Sequence, residues 1–453
     1  MKTHINRLFA LPEVAAALGL MLAGGATAQT ITNLCSFTGG NDGSRPRAGL
    51  ILSGNTLYGT TTEGGSSSVG TVFSIQTDGT GLTSLYSFAA GGDGASPFAE
   101  LILAGGTLYG TAQFGGDNGY GTVFAVNTNG TGFRSLYSFT GANDGANPYA
   151  GLVLSGNTLY GTTINHGVLN DGTIYSINTN GTGFNVVYGF LGGTDGAYPY
   201  AGLIVSGSTL YGTARQGGDA GSGTVFKLNT DGTSFVELHG FTDFADGGVP
   251  YARLVLSSNI LYGTTYEGGS SNFGTVFAVS TSGTGFTNLH SFRGGSDGAN
   301  PYAGLVLAGN KLYGTTYAGG VSANGTVFAI NPDGTGYTNL YSFSGTPDGS
   351  QPYGGLVASG NKLYGTTYAG GNFGIGTVFC LSLGLPQLTI NHVRTNVVLT
   401  WPTNYAGFTL QSTTNLVTPS LWATDSPAPV VVNGLNTVTN AITGSRKFYR
   451  LIQ

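Results

Sequence analysis

Seven residues that recur at a fixed interval are the strongest candidates for binding chemistry in this sequence. Each follows a proline by one position, and they are Arg47, Phe98, Tyr149, Tyr200, Tyr251, Tyr302 and Tyr353. A tyrosine presents an apolar ring face and a hydrogen-bonding hydroxyl, which suits sugars and peptides. The same rings could instead pack against one another inside the fold, which is the commoner role of a large aromatic side chain. Both interpretations remain open at this point.

Two charged residues interrupt a second recurring series, two positions further along. The series is Gly49, Glu100, Gly151, Gly202, Arg253, Gly304 and Gly355. In a repetitive scaffold, a specific site either breaks the symmetry or uses the axis shared by all repeats. Glu100 and Arg253 could therefore form a pair or hold a ligand between them, and we add them to the candidate binding residues.

An aspartate recurs in every repeat, and it is the most regular polar group of the chain. The seven are Asp42, Asp93, Asp144, Asp195, Asp246, Asp297 and Asp348. Each precedes a glycine and lies four residues before a proline, which is typical of a turn whose Asp side chain bonds to nearby backbone. Calcium is the alternative, but no repeat offers the several closely spaced oxygen ligands that calcium prefers. We expect a structural role, with no metal and no cofactor.

The sequence gives little support for a known catalytic pattern. It contains no P-loop motif and no recurring carboxylate pair. His239 and His290 occupy a position that is tyrosine in other repeats, which favours aromatic substitutes over metal ligands. We assign no catalytic residue. A polysaccharide-active lyase or hydrolase with its site at a channel mouth remains the alternative to a binding protein.

The elements that must position these residues follow from the repeat. The motif Leu-Tyr-Gly-Thr recurs seven times in steps of 51 residues, with its tyrosine at Tyr58, Tyr109, Tyr160, Tyr211, Tyr262, Tyr313 and Tyr364. Several strand-like runs within a period of roughly 40–50 residues indicate a β-propeller with one blade per repeat. We therefore predict an all-β fold with seven blades. The tyrosines of the motif lie in mid-strand, so we expect them to pack between blades.

The sixth repeat shows the expected blade. Strands are predicted from Pro301 to Leu307, Lys311 to Thr316, Gly325 to Ile330 and Tyr337 to Phe343, separated by turn residues. The first of these strands should be innermost, which places the candidate binding ring near the channel mouth. The long loops, from fourth to first strand and from second to third, should share one face, where we expect binding.

The two ends of the chain should close the ring. A lone fourth-strand sequence, Ile31–Phe37, precedes the first repeat, whereas the last repeat stops after its third strand. The N-terminal strand should therefore complete the last blade and remove a free sheet edge. This pairing brings the strands of Cys35 and Cys380 together. A disulfide between them is possible, but the strand register argues for two separate buried thiols, so both interpretations remain open.

These sequence motifs resemble those of a known family. Leu363-Tyr364-Gly365-Thr366-Thr367, Gly370-Gly371 and Gly376-Thr377-Val378-Phe379 are similar to the GloVer tandem repeat of exported bacterial proteins, and the similarity spans residues 31 to about 382. The resemblance implies an extracellular or surface-attached protein from a family without an established activity. It transfers no catalytic residues.

The remaining segments complete the predicted organisation. Residues 1–28 read as a signal peptide, 29–383 as the propeller, 384–386 as a linker and 387–453 as a small β-sandwich resembling a fibronectin type III module. Trp401 and Trp422 lie in this module. We expect both to be core residues, with ligand stacking as the alternative. The predicted location is secreted or on the cell surface.

Composition limits the partners. Charged residues make up 8% of the chain, and the net charge is −5, whereas ordinary soluble domains contain roughly 25% charged residues. Nucleic acids and anionic lipids are bound by clustered Lys and Arg, so we expect neither. No apolar run reaches the roughly 18 residues of a membrane span. The expected partner is an extracellular polysaccharide or a surface protein, bound by a monomer.

Overall fold

The computed structural model describes residues 29–384, 388–402, 408–414, 422–425, 427–433, 435–442 and 447–452. The predicted signal peptide and residues 385 and 386 of the predicted linker lie outside these ranges. Among the described residues, none of the helical segments has the length and apolar character needed to cross a membrane.

Residues 29–384 form seven four-stranded antiparallel sheets, each a blade. The first strand, β1 (Thr30–Ser36), precedes blade 1. Blades 1 to 3 contain β2 (Ile51–Ser53), β3 (Thr56–Thr61), β4 (Thr71–Gln76) and β5 (Thr83–Ser87); β6 (Ile102–Ala104), β7 (Thr107–Ala112), β8 (Thr122–Asn127) and β9 (Arg134–Ser138); β10 (Val153–Ser155), β11 (Thr158–Thr163), β12 (Thr173–Asn178) and β13 (Asn185–Gly189).

Blades 4 to 7 repeat the same order of strands. They contain β14 (Ile204–Ser206), β15 (Thr209–Ala214), β16 (Thr224–Asn229) and β17 (Val236–Gly240); β18 (Val255–Ser257), β19 (Ile260–Thr265), β20 (Thr275–Ser280) and β21 (Thr287–Ser291); β22 (Val306–Ala308), β23 (Lys311–Thr316), β24 (Thr326–Ile330) and β25 (Thr338–Ser342); and β26 (Val357–Ser359), β27 (Lys362–Thr367) and β28 (Thr377–Ser382). A short 3₁₀ helix, Gly295–Asp297, lies between β21 and β22. The predicted seven-bladed fold is confirmed.

The ring closes as predicted, because β1 pairs antiparallel with β28 and completes blade 7. One hydrophobic cluster joins Phe37 and Tyr364 of blade 7 to Leu50 and Phe73 of blade 1. The register places Cys35 opposite Val378 and Cys380 opposite Thr32, and both cysteines are free. Because the two cysteines are offset along the paired strands, the structure contains two separate thiols rather than the disulfide.

The innermost strand is shorter than the sequence predicts. In blade 6 the assigned strand is Val306–Ala308, and the residues from Pro301 to Leu305 precede it. The physical reason is that the backbone of this inner segment accepts hydrogen bonds from threonine side chains of the neighbouring blade. Two residues after the proline of each repeat, six of the seven blades have an alanine whose carbonyl accepts a bond at 2.8–3.5 Å from a threonine of the preceding blade. The pairs are Thr60–Ala99, Thr111–Ala150, Thr162–Ala201, Thr213–Ala252, Thr264–Ala303 and Thr366–Ala48.

Blade 6 departs from this threonine pattern. The corresponding threonine is Thr315, and the alanine position in blade 7 is occupied by Gly354. The Thr315 hydroxyl is buried and has no hydrogen-bond partner among the described residues.

Apolar contacts explain two recurring sequence motifs, Leu-Tyr-Gly-Thr and Gly-Thr-Val-Phe. The tyrosines of Leu-Tyr-Gly-Thr are only 1–9% exposed, and Tyr109 of blade 2, for example, packs with Leu152 and Tyr175 of blade 3. The glycine of Leu-Tyr-Gly-Thr lies opposite the phenylalanine of Gly-Thr-Val-Phe. A Cβ atom on Gly59 would lie 2.6 Å from the ring tip of Phe73, so only glycine leaves room for the ring.

The two kinds of long loop lie together, as predicted. In blade 6 the loop before β22 forms an isolated bridge, Ala299↔Ala318, with the loop between β23 and β24, and equivalent bridges occur in the other blades. We call this side of the propeller the long-loop face.

The C-terminal region contains two further sheets. One has the order β29 (Thr389–Val393), β30 (Asn396–Pro402), β34 (Leu435–Ala441), β33 (Val430–Val432), and the other β32 (Ala423–Thr424), β31 (Thr409–Thr413), β35 (Phe448–Ile452). Trp401 is 1% exposed in the core of this region, as predicted. Trp422 is partly exposed, with the Arg450 guanidinium 4.3 Å from its ring centre. The fibronectin type III likeness and the domain boundaries stay predictions.

Candidate functional site

The seven predicted ring residues come together around the channel as one continuous collar. Successive ring centroids are 4.5–5.2 Å apart from Phe98 through Tyr353. Arg47 completes the collar, because its guanidinium lies 5.0 Å from the Tyr353 ring and 4.8 Å from the Phe98 ring. We use the name collar for Arg47, Phe98, Tyr149, Tyr200, Tyr251, Tyr302 and Tyr353, all of which are partly buried.

The collar also has a bond across the channel. The hydroxyls of Tyr149 in blade 3 and Tyr302 in blade 6 are 2.9 Å apart. Burial is the main cause that raises the pKa of both tyrosines above the usual value. Both groups therefore stay protonated, and one donates while the other accepts. The collar is thus a packed structural layer that narrows the channel, with some of its ring edges facing the mouth.

Glu100 and Arg253 lie in the channel with the collar, and both line a cavity of about 110 Å³. They do not form a salt bridge, since the ion pairs within 4.0 Å among the described residues do not include them. Burial raises the pKa of Glu100, and the positive charge of Arg253 opposes that shift. The Glu100 carboxyl carbon would lie 3.5 Å from a Cβ atom on Gly49, an ordinary van der Waals distance, so the carboxyl group lies beside the inner segment of blade 1.

A second group of side chains at the channel mouth was missed by the sequence analysis. It occupies the position just after the second strand of each blade, where blades 4 to 7 carry Arg215, Tyr266, Tyr317 and Tyr368. We call these four residues the crescent. Blades 1 to 3 have Thr62, Gln113 and Ile164 there, all buried. The available signal was this change within one repeat position, from three unrelated residues in blades 1 to 3 to an arginine and three tyrosines in blades 4 to 7.

The crescent packs on the collar. Tyr266 lies 5.5 Å from Tyr251 and 6.0 Å from Tyr302, while Tyr317 and Tyr368 lie 4.9 and 5.4 Å from Tyr353. All four crescent side chains are partly exposed. One side of the mouth therefore presents tyrosine rings and hydroxyls that the opposite side lacks.

Arginines complete this side of the mouth. Arg45 donates to the Tyr368 hydroxyl at 2.7 Å and pairs with Glu63 at 3.2 Å. Arg215 donates through Nε to the Tyr251 hydroxyl at 2.7 Å. Both arginines are thereby fixed against tyrosine rings, a geometry that holds a guanidinium in place for recognition.

Exposed apolar side chains are also concentrated on the long-loop face. In the propeller the large hydrophobic residues that remain exposed on its loops are Phe114, Val168, Leu169, Leu191, Phe244, Phe273, Val321 and Phe373. Val236 is a further exposed residue and lies on strand β17. The side chains on loops are distributed over blades 2 to 7, where they are accessible to a partner.

The recurring aspartates have the structural role that was predicted. The Asp144 carboxylate accepts bonds from the Thr140 and Ala142 backbone N–H groups at 2.8 and 3.1 Å. It also accepts one from the Tyr137 hydroxyl at 3.0 Å. The described residues contain no group of three or more His, Cys, Asp or Glu side chains arranged to hold a metal ion.

The two histidines occupy the tyrosine position of this same network. His239 Nε2 lies 3.2 Å from Asp246, and its ring stacks at 3.7 Å on Phe286 of the next blade. His290 lies 3.2 Å from Asp297 and stacks at 3.8 Å on Tyr337. Both therefore serve as aromatic substitutes, as predicted.

Comparison with known proteins agrees with the repeat pattern. A family model described as the Gloeobacter/Verrucomicrobia repeat matches residues 21–225 and 205–416. The chain belongs to this family. The GloVer resemblance is thus confirmed, and the matched region continues beyond the predicted end of the propeller at residue 383. A search of curated proteins gives no match.

Three solved structures are similar to this chain. An oligogalacturonate lyase in complex with manganese is similar with a TM-score of 0.52 at 13% identity, over 80% of this chain and 94% of the lyase chain. A puromycin-hydrolysing peptidase of Mycobacterium tuberculosis has a TM-score of 0.47 at 12% identity, over 83% of this chain and 61% of its own. A chain of the nidogen/laminin complex has a TM-score of 0.41 at 15% identity, over 60% of this chain and 89% of its own. At these identities the lyase supports the fold and assigns no activity to this family member.

Proposed function

We propose that this protein is an exported or cell-surface binding propeller that holds an extracellular carbohydrate at the channel mouth of its long-loop face. The observation that carries the proposal is the crescent. Three partly exposed tyrosines and an arginine stand on one side of the mouth, fixed against the collar.

The chemistry of this surface suits sugars. A pyranose ring has apolar C–H faces that pack on aromatic rings and hydroxyls that bond to polar tips, and tyrosine supplies both kinds of contact. Because the crescent is held by the collar beneath it, little side-chain freedom is lost on binding. The floor of the site is the collar, which the bond between Tyr149 and Tyr302 narrows.

A glycan array tests the proposal. We expect the purified chain to bind a subset of extracellular polysaccharides, and the double variant Tyr266→Ala, Tyr317→Ala to lose that binding. Phe244→Ala is the matched control, since Phe244 is exposed on the long-loop face but does not line the channel. An array without any bound glycan would refute the carbohydrate ligand.

A protein partner is the second candidate, and the exposed loop residues favour it. Phe244 is 77% and Val321 85% exposed. If the ligand is a surface protein, Phe244→Ala and Val321→Ser should weaken its binding more than the crescent variant does. The two sets of variants therefore separate the two classes of ligand.

Catalysis is the remaining alternative. The Glu100 carboxyl, with its raised pKa, lies in the channel where a polysaccharide-active site could form. Incubation of the wild-type protein with a polysaccharide panel decides between binding and turnover. Product release that disappears in Glu100→Gln or Arg253→Ala would overturn the non-enzymatic proposal.

A further inference from the structure

Positive charge is concentrated on the axis of a propeller that is otherwise acidic. Residues 29–383 contain 18 Asp and Glu against nine Lys and Arg. Nevertheless four of their six arginines, Arg45, Arg47, Arg215 and Arg253, lie in the channel or pack on the rings at its mouth. A cleft lined by one sign of charge concentrates ligands of the opposite sign.

Carboxylates at the mouth do not neutralise this charge. Arg45 is paired with Glu63, but no carboxylate of the described residues lies within 4.0 Å of Arg47, Arg215 or Arg253. The other acidic groups near the axis are Glu100, inside the cavity, and Glu267, next to Tyr266. Arg47, Arg215 and Arg253 therefore have no carboxylate at ion-pair distance, and of the three Arg253 shares the cavity with Glu100.

Arg215 is held in an orientation that suits an incoming anion. Its guanidinium lies 5.7 Å from the Tyr200 ring and 5.4 Å from the Tyr251 ring, and Nε is bonded to the Tyr251 hydroxyl. The two terminal nitrogens donate no hydrogen bond to any described residue. A planar guanidinium edge of this kind forms two parallel bonds with a carboxylate.

We propose that the channel mouth recognises the carboxylate groups of an acidic polysaccharide built from uronic acids. Arg215 contacts a carboxylate, and Tyr266 and Tyr317 pack against the adjoining sugar rings. This inference rests on the proposed carbohydrate-binding function and specifies its ligand class.

Isothermal titration with three oligosaccharides of equal length tests the inference: alginate, which carries carboxylates, maltooligosaccharide, which is neutral, and a sulfated maltooligosaccharide. The wild-type protein should bind alginate about ten-fold more tightly than the other two. Arg215→Gln should lose about ten-fold in alginate affinity, the effect of one charged hydrogen bond. Arg134→Gln, an exposed arginine on the outermost strand of blade 2, should bind like the wild type.

The outcomes separate the two levels of the proposal. Alginate binding that equals maltooligosaccharide binding, or that is unchanged in Arg215→Gln, overturns the uronate inference and leaves carbohydrate binding standing. Equal affinity for the sulfated ligand shows general attraction of polyanions and also overturns it. If none of the three ligands binds and the glycan array is also blank, the proposed function itself fails.

Discussion

Tyr149 and Tyr302 share a hydrogen bond of 2.9 Å although 153 residues separate them in the chain. They belong to blades 3 and 6, so the bond spans the channel and ties together blades that are not neighbours. It can form because a 51-residue period places the two hydroxyls at the same height on the axis.

Removing either hydroxyl should weaken the propeller by about 1 kcal/mol, the usual net value of a hydrogen bond. Tyr149→Phe and Tyr302→Phe keep the ring contacts of the collar, and the double variant should be no less stable than the single ones, because all three lose the same bond. Urea unfolding measures the effect, with Tyr200→Phe as the control within the collar. Additive losses in the double variant would show that the two hydroxyls act independently.

The closing strand should matter more for the propeller than the whole C-terminal region. Deletion of residues 29–40 removes β1 and exposes the edge of β28, so we expect a lower melting temperature and aggregation. Deletion of residues 387–453 should leave the propeller folded. Indistinguishable melting curves for the two truncations would refute this view of the ring.

The two histidines should make the propeller less stable in mild acid. Burial lowers the pKa of His239 and His290 in the folded protein, against the opposing effect of Asp246 and Asp297, and Arg293 lowers it further for His290. The unfolded chain therefore binds more protons below its own His pKa of about 6.5, and stability is lost as the pH falls from about 7 towards 5.

Tyrosine at both positions tests this pH dependence. His239→Tyr with His290→Tyr introduces the residue found in the equivalent blades and should flatten stability between pH 7 and pH 5. His392→Asn, at an exposed site of the C-terminal region, is the control. A pH profile that survives in the double variant would place its origin elsewhere.

Each recurring aspartate should contribute more to the stability of the propeller than an ordinary surface carboxylate does. Asp144→Ala leaves the donors at Thr140, Ala142 and Tyr137 without their acceptor, at a cost of about 1–3 kcal/mol. Thermal denaturation with and without EDTA checks both this and the structural role. A melting temperature lowered by EDTA in the wild type would favour the calcium alternative.

Both cysteines should resist modification in the folded protein. Burial is the main cause that raises the pKa of Cys35 to about 12 and raises that of Cys380 as well, so few thiolates exist near neutral pH. Alkylation under native conditions should be slow, and unfolding without a reductant should release two reactive thiols. Mass spectrometry that finds neither alkylated would establish the disulfide instead.

Repetition is the reason that much of the fold could be predicted. A residue that recurs seven times, such as Tyr58, reports the same environment in every blade, so local turn chemistry and the 51-residue step give the blades and the closure. The first strand was predicted too long because the bonds between threonine hydroxyls and alanine carbonyls join different blades and leave no local signal.

The site could be predicted only in part, for the same physical reason. The collar was found because its members recur. Arg215, Tyr266 and Tyr317 were not, because the matching residues of blades 1 to 3 differ and nothing local shows that these positions face the channel mouth. Proximity to the axis is a property of the closed ring, and the contact of Arg215 with Tyr251 becomes visible only once the ring is built.

The unpaired Thr315 hydroxyl has a consequence for how the propeller comes apart. Every other junction between neighbouring blades has a hydrogen bond from a threonine hydroxyl to an alanine carbonyl. The junction between blades 7 and 1, the seam that joins the two ends of the chain, has the bond from Thr366 to Ala48. The junction between blades 6 and 7 therefore lacks a hydrogen bond that would contribute about 1 kcal/mol to the free energy of unfolding. Under heat or mechanical load we expect the first gap to open there, within the covalent chain, rather than at the seam where its two ends are joined.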